Sequence, residues 1–421
     1  MKQIIEALSA DPRVSDYKIN MHQKESYELF FVKGKLETLR RTDTCDREVT
    51  VYVDHDGFKG DAQFFVYPST TAGQLTRLIG EAVDKASLLE NQSYTLPDKD
   101  TGDYVVASNF AELSFPDLAA AVTQAVFSAN DIPGTALNAV EIFLNKHTET
   151  VRNSRGLQKR QQRYDAMVEA IPTYNGEKQS VELYEQYNFS TLDEAAIRRE
   201  IGEKLAQVKA RYEAVTPDFP LEGPCVLHAQ ELASLFGSIA QDLNYGSVYA
   251  HTNLFKKGDA IQKSLSGDPI GITMAAEAPG SVRSAKFDAD GLSLGSIRLV
   301  EGGKAVNYYG SNRFGQYLGE VPTGSLPCCL ADPGTGKTPE GNWLEVLSMS
   351  GLQVDFYNDY IGGEVRLACY HTGGKEIPVT GISISGKLSQ VLGSIRLSPE
   401  VTTHNGYHGP ERAILSDMKI F

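Results

Sequence analysis

The chain has 421 residues, which is long for a single hydrophobic core and favours at least two domains. A formal net charge of −14 argues against a protein that holds the phosphate backbone of nucleic acid. The apolar runs are short and interrupted by charged residues, so the sequence predicts no membrane span, and the N-terminus lacks the apolar segment typical of a signal peptide.

The first half of the chain predicts strands and amphipathic helices. Extended runs fill residues 17–66 around turns at Lys33-Gly34 and Asp56-Gly57, and a helix capped at residues 69–71 follows. A second helix is expected after Pro116. Strands are then predicted at 139–152, 162–174 and 179–189, before a long helix within residues 190–214, which has a Ser/Thr cap and an apolar stripe.

The turn-rich segment 215–224 is the predicted linker between two domains. It contains three prolines, and the composition changes after it, because glycines become frequent and short alternating runs dominate. The resulting prediction is an α+β protein. An N-terminal α/β domain (1–214) with antiparallel strands and helices precedes a C-terminal β-rich, barrel- or sandwich-like domain (225–421). Within the latter, helices are expected at about 230–243 and over residues 342–351.

Charge distribution and cysteine usage limit the choice of partner and compartment. The only basic stretch is short, so we interpret it as a solvated loop or strand edge and predict no nucleic-acid binding. It comprises Arg152, Arg155, Lys159, Arg160 and Arg163. Five cysteines, of which Cys328 and Cys329 are adjacent, do not form a disulfide framework and indicate a reducing, cytoplasmic location.

Residues 331–338, ADPGTGKT, satisfy a relaxed form of the phosphate-binding loop. That loop needs a strand before it and a helix beginning at the lysine, whose amides bind phosphate. Here Pro339 and Gly341 follow Lys337 almost at once. The expectation is a flexible polar loop rather than a nucleotide site.

Metal and nucleophile motifs are weak. His404 and His408 have the i, i+4 spacing of zinc-binding helices, but Gly406, Gly409 and Pro410 make a helix there unfavourable. His228 and Glu231 would share one helix face, without a second histidine. There is no G-x-S-x-G motif, and no cysteine has a local catalytic signature.

A series of ordered motifs resembles the TldD/PmbA family, also called modulators of DNA gyrase. The opening hairpins VKGKLETLRRTDT and VTVYVDHDGFKGDA are followed by RNSRG at 152–156. The second half contains GDP at 267–269, SAKFDADG at 284–291 and the strand pair that begins LVEGGKAVNYYG at 299. Asp290 stands where the family usually has glutamate. Each motif is weak by itself, but their order resembles the family over nearly the whole chain.

The resemblance implies an α/β N-terminal domain, a β-rich C-terminal domain and a dimer that encloses a peptide-accessible cavity. TldD-type subunits carry H-E-x-x-x-H on the helix after the linker and a cysteine near the C-terminus. The corresponding helix here places Gly237 and Asp242 at the two histidine positions and Ser238 at the glutamate, and residues 404–412 contain no cysteine. The chain therefore resembles the PmbA/TldE-type subunit, and no catalytic, cofactor-binding or metal-binding residue is assigned.

The function implied is that of a cytoplasmic metallopeptidase system that processes or degrades unfolded peptides. A TldD-type partner is expected to supply zinc, and this chain is expected to shape the peptide chamber. Two alternatives remain. One is a self-sufficient hydrolase that uses His228, His404 and His408, and the other is a non-enzymatic homodimeric peptide-binding protein.

Overall fold

The structure, a computed structural model, describes all 421 residues as three β-sheets with associated helices. Residues 1–214 form one eight-stranded sheet and four α-helices. Its strands are β1 (Asp16–Val32), β2 (Lys35–His55), β3 (Phe58–Phe65), β4 (Thr101–Val105), β5 (Thr135–Asn153), β6 (Gln158–Asn175), β7 (Ser180–Glu182) and β8 (Glu185–Phe189). The helices are α1 (Lys2–Ala10), α2 (Ala72–Ala86), α3 (Phe115–Ser128) and α4 (Glu194–Glu213), with a short 3-10 helix at Asn109–Glu112.

The first sheet is curled and mainly antiparallel. Its strand order is β3-β2-β1-β5-β6-β4, with β7 and β8 paired to β6, and only β4 runs parallel to its neighbour. The strands predicted in this half are confirmed, except that the one predicted at 179–189 is split into β7 and β8. The predicted helices correspond to α2, α3 and α4. The first of these is capped by Thr71, within the predicted capping segment, and forms a capping box in which Thr71 and Gln74 bond reciprocally.

The two faces of the first sheet differ because successive side chains in a strand point to opposite sides. One face packs apolar side chains such as Leu29, Ile142 and Val168 against α3 and α4. The other face carries buried polar side chains. They include Lys18, Ser26, Glu28, Asn145, His147, Asn153, Lys159 and Gln161. This polar face contacts the second half of the chain, where Lys18 Nζ lies 2.5 Å from Asp290 Oδ1.

The second half contains two further sheets around one large core. The six-stranded sheet, in order β12-β11-β10-β13-β21-β20, comprises β10 (Ile272–Ala275), β11 (Ser296–Glu301), β12 (Lys304–Ala305), β13 (Cys328–Ala331), β20 (Val401–His404) and β21 (Tyr407–Pro410). The nine-stranded sheet comprises β9 (Cys225–His228), β14 (Trp343–Met349), β15 (Gln353–Asp355), β16 (Tyr360–Thr372), β17 (Lys375–Val379), β18 (Ile382–Lys387), β19 (Arg396–Leu397), β22 (Arg412–Leu415) and β23 (Met418–Ile420). The helices are α5 (Ala229–Asp242), α6 (Tyr245–Tyr249), α7 (Asn312–Leu318) and α8 (Leu388–Ser394).

Helix α5 lies between these two sheets and contacts strands of both. Its apolar stripe of Leu232, Leu235, Phe236 and Ile239 is fully buried in the core that the sheets share. The helix predicted at about 230–243 is therefore confirmed, and so is the α+β fold class with a β-rich second half. No helix of the chain has both the length and the apolar character needed to cross a membrane.

The helix predicted over residues 342–351 is wrong, because Trp343–Met349 is strand β14. Leucine, glutamate and methionine favour a helix in isolation, but this segment pairs with β9 on one side and β16 on the other. Trp343, Leu344, Val346 and Met349 are all buried there. Sheet pairing and burial override the local propensity.

The predicted linker 215–224 contains no helix and no named strand. Val215 forms an isolated bridge with Val379, and the amide of Glu222 donates to Tyr370 Oη at 3.2 Å. The segment therefore runs along the nine-stranded sheet. The domain boundaries at 214 and 225 stay a prediction.

Candidate functional site

A large cleft of about 1080 Å³ lies between the two halves of the chain. From the first half, α4 and β8 line the cleft. From the second half, it is lined by the start of α5, the β20–β21 hairpin and side chains of β14 and β16. We call it the inter-half cleft. Its volume exceeds that of most small-molecule pockets and is large enough for a segment of polypeptide.

Two strand edges border the inter-half cleft and lack a partner strand. β8 pairs only with β6, and β20 is the last strand of the six-stranded sheet and pairs only with β21. Asn188, the penultimate residue of β8, donates from Nδ2 to Asn405 Oδ1, in the β20–β21 turn, at 3.0 Å. The two edges are thus joined across the cleft by one hydrogen bond.

The ladder between β20 and β21 defines which backbone groups of β20 face outwards. The amide of Glu411 donates to the carbonyl of Glu400 at 2.9 Å, and the register opposes Val401 to Pro410 and Thr403 to His408. Hydrogen-bonded pairs alternate with non-bonded pairs in an antiparallel ladder. Val401 and Thr403 therefore direct their N–H and C=O groups away from β21, toward the open edge.

The lining of the inter-half cleft is acidic. Eight glutamates line it against four lysine or arginine residues, and one of these bases, Lys204, is held by Glu185 at 3.1 Å. Burial raises the pKa of Glu200 and of Glu231, whose carboxyl is almost fully buried. Because glutamates outnumber lysine and arginine residues in its lining by two to one, the cleft presents a negative potential that favours cationic ligands over anionic ones.

Glu345 is the centre of a small ion-pair group in the cleft wall. Its two carboxylate oxygens lie 3.2 Å from His228 Nε2 and 3.2 Å from His371 Nε2. The His371 ring stacks on Trp343, with ring centroids 3.7 Å apart. The hydrogen bond with His228 is the main cause that holds the pKa of Glu345 below its usual value. These contacts fix the positions of the side chains in the cleft wall, and His228 Nε2 is already in contact with Glu345.

The structure does not gather the three candidate histidines into one site. His228 and His404 both line the inter-half cleft, but His404 Nε2 is paired with Asn405 Nδ2 at 3.1 Å. His408 Nδ1 is 2.9 Å from Thr403 Oγ1 in the adjacent strand. Burial lowers the pKa of both His404 and His408. No group of three or more His, Cys, Asp or Glu side chains is placed to hold a metal ion.

The remaining sequence motifs have structural explanations. The loop 331–338 follows β13 but leads into strand β14, and Asp268 accepts from both the amide and the hydroxyl of Thr335 at 3.2 and 2.7 Å. Burial raises the pKa of Cys225 and Cys329 to about 12, so neither is a thiolate at neutral pH. All five cysteines are free.

Comparison with known proteins supports the resemblance found in the sequence. Residues 221–420 match the PmbA/TldA metallopeptidase C-terminal domain. Over these residues the chain belongs to the TldD/PmbA family. No curated protein matches the chain at a significant level.

Three solved structures share this TldD/PmbA fold over all of the present chain. TldE from Thermococcus kodakarensis has a TM-score of 0.79 at 15% identity, with 99% of its own chain covered. A protein described as a candidate modulator of a DNA gyrase from Thermotoga maritima MSB8 has a TM-score of 0.75 at 14% identity, with 100% covered. A similarly described protein from Bacteroides thetaiotaomicron VPI-5482 has a TM-score of 0.75 at 12% identity, with 98% covered.

The TldD/PmbA family name implies a metal, so we tested whether α5 fits a zinc ion at the expected positions. Gly237 offers no donor, and the Ser238 hydroxyl donates to the carbonyl of Ser234 in its own helix at 2.8 Å. The Asp242 carboxylate is buried and accepts from the amides of Leu254 and Phe255 at 2.7 and 2.9 Å. These residues do not fit a zinc ion, because the only carboxylate among them is already bonded to the backbone.

Sequence reasoning missed the residues that define the inter-half cleft. Glu345, Asn188 and Asn405 were not singled out, and Glu345 lay in a segment expected to be helical. The one available signal for Asn405 was its position in the turn HNGY, where asparagine tolerates the left-handed φ of 53° that the structure shows. Asn188 and Asn405 are 217 positions apart, and no pattern in the sequence predicts that they pair.

Proposed function

We propose that this chain is the PmbA/TldE-type subunit of a cytoplasmic metallopeptidase system and that its inter-half cleft holds an unfolded peptide. The observation that carries the proposal is the presence of two unpartnered strand edges, β8 and β20, on one acidic cleft. An extended peptide can add to such an edge through main-chain hydrogen bonds, which do not depend on its sequence. This mode suits a subunit that handles unfolded chains.

The edge of β20 is the preferred backbone template. Val401 and Thr403 direct N–H and C=O groups toward the open side, and Val401 is exposed. Neighbouring carboxyl groups, including those of Glu231 and Glu411, would attract basic side chains of the bound peptide. The expected ligand is thus an extended peptide with basic residues.

Catalysis is assigned to a partner in this proposal. The α5 positions at which TldD-type subunits carry zinc ligands do not fit the metal here, so the chain itself is given no catalytic step. A zinc ion in a TldD-type partner would activate a water molecule for attack on the amide bond. The present chain would bind the peptide and shape the chamber.

The long strand β2 offers a surface for that partner. β3 covers its outer edge only from Glu48 onward, apart from a bond between the Val66 amide and the Arg47 carbonyl. No strand of the chain pairs with the outer edge from Lys35 to Asp46. An uncovered edge of this length can receive a strand from another subunit. The five free cysteines suit a reducing compartment.

Co-purification from the native host tests the proposal. The tagged chain should bring down a zinc-containing TldD-type protein, and only the complex should cleave fluorescein-labelled casein, an unstructured polypeptide. The chain alone should contain less than stoichiometric zinc by elemental analysis. Stoichiometric zinc together with casein cleavage by the chain alone would show a self-sufficient hydrolase. Recovery of the chain only with itself, with peptide binding but no cleavage, would show a homodimeric binding protein.

A further inference from the structure

A second cavity, of about 480 Å³, lies between the polar face of the first sheet and the second half of the chain. It shares no lining residue with the inter-half cleft. Side chains of β1, β5 and β6 form one wall, and residues 282–294 with Ser325 and Pro327 form the other. We call it the sheet-face cavity. Nothing in the proposed peptide-binding function uses it.

Three side chains in close polar contact, Asp165, His147 and His22, lead to this cavity. Asp165 Oδ2 lies 2.6 Å from His147 Nε2, and His147 Nδ1 lies 2.9 Å from His22 Nε2. The His147 N–H is not aimed straight at Asp165, although the two atoms are close. Two lone pairs at 2.6 Å would repel each other, so His147 Nε2 must carry a proton.

In neutral His147 that proton leaves Nδ1 as an acceptor, and His22 donates to it from Nε2. In neutral His22 this leaves Nδ1 as a free lone pair, and no protein group bonds to that atom. Asp165 is itself fixed by Asn145, whose Nδ2 donates to Oδ1 at 2.7 Å. Burial alone would raise the pKa of Asp165, but the contacts with His147 and Asn145 hold it below its usual value.

Most other charged groups that line the sheet-face cavity are already paired. Glu149 is bonded by Arg163 at 2.9 Å and by Gln161 at 2.6 Å, and Asp288 accepts from backbone amides of its own turn. Arg283 is different, because its exposed guanidinium makes no ion pair or hydrogen bond. The cavity therefore presents one free cation and one free imidazole nitrogen. Its apolar wall includes Val151, Val282, Phe287 and Leu294.

We propose that the sheet-face cavity binds a carboxylate that carries an apolar group, with Arg283 and protonated His22 holding the two oxygens and the apolar wall holding the rest. The guanidinium fork matches a carboxylate. A proton taken from water onto His22 Nδ1 creates the second donor, while His22 Nε2 continues to donate to His147. The shared chemistry fits either a peptide C-terminus or a free small acid.

Binding in this way takes up a proton. Burial holds the pKa of free His22 below its usual value, so at neutral pH the ring is neutral before the ligand arrives. The charged groups facing His22 are Glu149, Arg163 and, on the neighbouring strand β2, Asp46. A bound carboxylate adds a negative charge and raises the pKa of His22. Affinity should therefore rise as pH falls from 8 toward 6.

Calorimetry on the full chain tests the proposal with three probes: N-acetyl-Ala-Phe with a free carboxylate, its C-terminal amide, and phenylpropanoate. The free-carboxylate peptide should bind with proton uptake, seen as a heat that depends on the buffer, and the amide should not bind. Binding of phenylpropanoate without the peptide would assign the site to a free acid, and the reverse would assign it to a peptide C-terminus. Failure of both carboxylates, or equal binding of the amide, would overturn the proposal.

Variants separate this site from general charge effects. Arg283→Gln should weaken binding roughly tenfold because a charged hydrogen bond is lost. Arg77→Gln, the same change on the exposed face of α2, should leave binding unchanged. In NMR spectra of the ¹³C-histidine-labelled chain, the His22 resonance is the one that is missing from the His22→Gln variant. Its titration curve should show a higher pKa for His22 with ligand bound than without. Asp165→Asn should reduce that rise, since Asp165 acts through His147. An unchanged affinity in both Arg283→Gln and His22→Gln would refute the assignment.

Discussion

Asn188 and Asn405 join the two halves of the chain at the end of the inter-half cleft, through one side-chain hydrogen bond of 3.0 Å. Asn188 is the penultimate residue of β8, and Asn405 lies in the turn between β20 and β21 with φ of 53°. The two unpartnered strand edges of the cleft are therefore held at a fixed separation. This bond is the most direct structural control on the width of the proposed peptide site.

Loss of this bond should loosen the cleft without unfolding either half. Asn188→Ala removes the donor, and Asn405→Gly removes the acceptor while retaining a residue suited to positive φ. Both should increase amide hydrogen exchange in β8 and β20. Asn405→Ala should add about 1 kcal/mol of backbone strain to the same loss, so it should be the least stable of the three. Unchanged exchange in Asn188→Ala would show that the bond does not hold the edges.

Val401→Pro should block peptide addition to β20. The substitution removes an outward N–H and places a ring at the open edge, whereas Val401 donates nothing to β21. We expect roughly tenfold weaker binding of a fluorescein-labelled peptide of alternating Lys and Val, measured by anisotropy. Val401→Ala retains the amide and should bind nearly as well as the parent chain.

The charge of the peptide supplies a second comparison for the same assay. A peptide of alternating Glu and Val has the same backbone but opposite charge, and the acidic lining should reject it. Equal binding of the two peptides, or no effect of Val401→Pro, would rule out the β20 edge as the proposed template.

Glu345 should stabilise the fold only above the pH at which its carboxylate protonates. Its pKa is lowered in the folded chain, so its contribution is present above the unfolded-state value of about 4.3 and is lost as pH falls through the folded value. At pH 7, Glu345→Gln should reduce the free energy of unfolding by about 1–3 kcal/mol in urea titrations.

The difference in unfolding free energy between Glu345→Gln and the parent chain should approach zero at the lowest pH at which the chain stays folded. Glu376→Gln is the control, since Glu376 is largely exposed and lies 3.8 Å from His371. It should change stability by less than about 0.5 kcal/mol. A Glu345→Gln effect that does not depend on pH would contradict the ion-pair explanation.

Asp242 should be a structural residue, although it stands at a position where TldD-type subunits have a histidine. Asp242→Ala leaves the buried amides of Leu254 and Phe255 without an acceptor and should cost about 2–3 kcal/mol of unfolding free energy. Asp242→Asn keeps one acceptor oxygen and should cost less. Zinc content measured on the purified variants should equal that of the parent chain, and a fall in zinc would indicate a metal role.

The outer edge of β2 should be needed for assembly rather than for folding. The carbonyl of Arg47 faces outward to Val66, and alternation along the strand directs the backbone groups of Asp43 the same way. Asp43→Pro should therefore reduce co-purification of the partner subunit. Asp43→Ala should have little effect, and equal recovery in both variants would place the interface elsewhere.

Sequence patterns predicted most of the first sheet and its helices. Alternation and turn residues place β1 to β3, and the stripe of α5 identifies a buried helix because these signals depend only on local spacing. The ordered motifs were enough to identify the TldD/PmbA family. Strand β14 was the principal error, since its environment depends on β9 and β16, which come from distant parts of the chain.

The amino-acid sequence by itself determined the α+β class, the family resemblance and the absence of histidine at positions 237 and 242 of α5, because each follows from residue identity and near-neighbour spacing. Only the tertiary structure decided that β8 and β20 share one cleft, that Glu345 bridges two histidines, and that His22 connects through His147 to Asp165. Those relationships depend on strand register and on the curl of the first sheet. They bring together residues more than a hundred positions apart, and no local sequence pattern predicts such contacts.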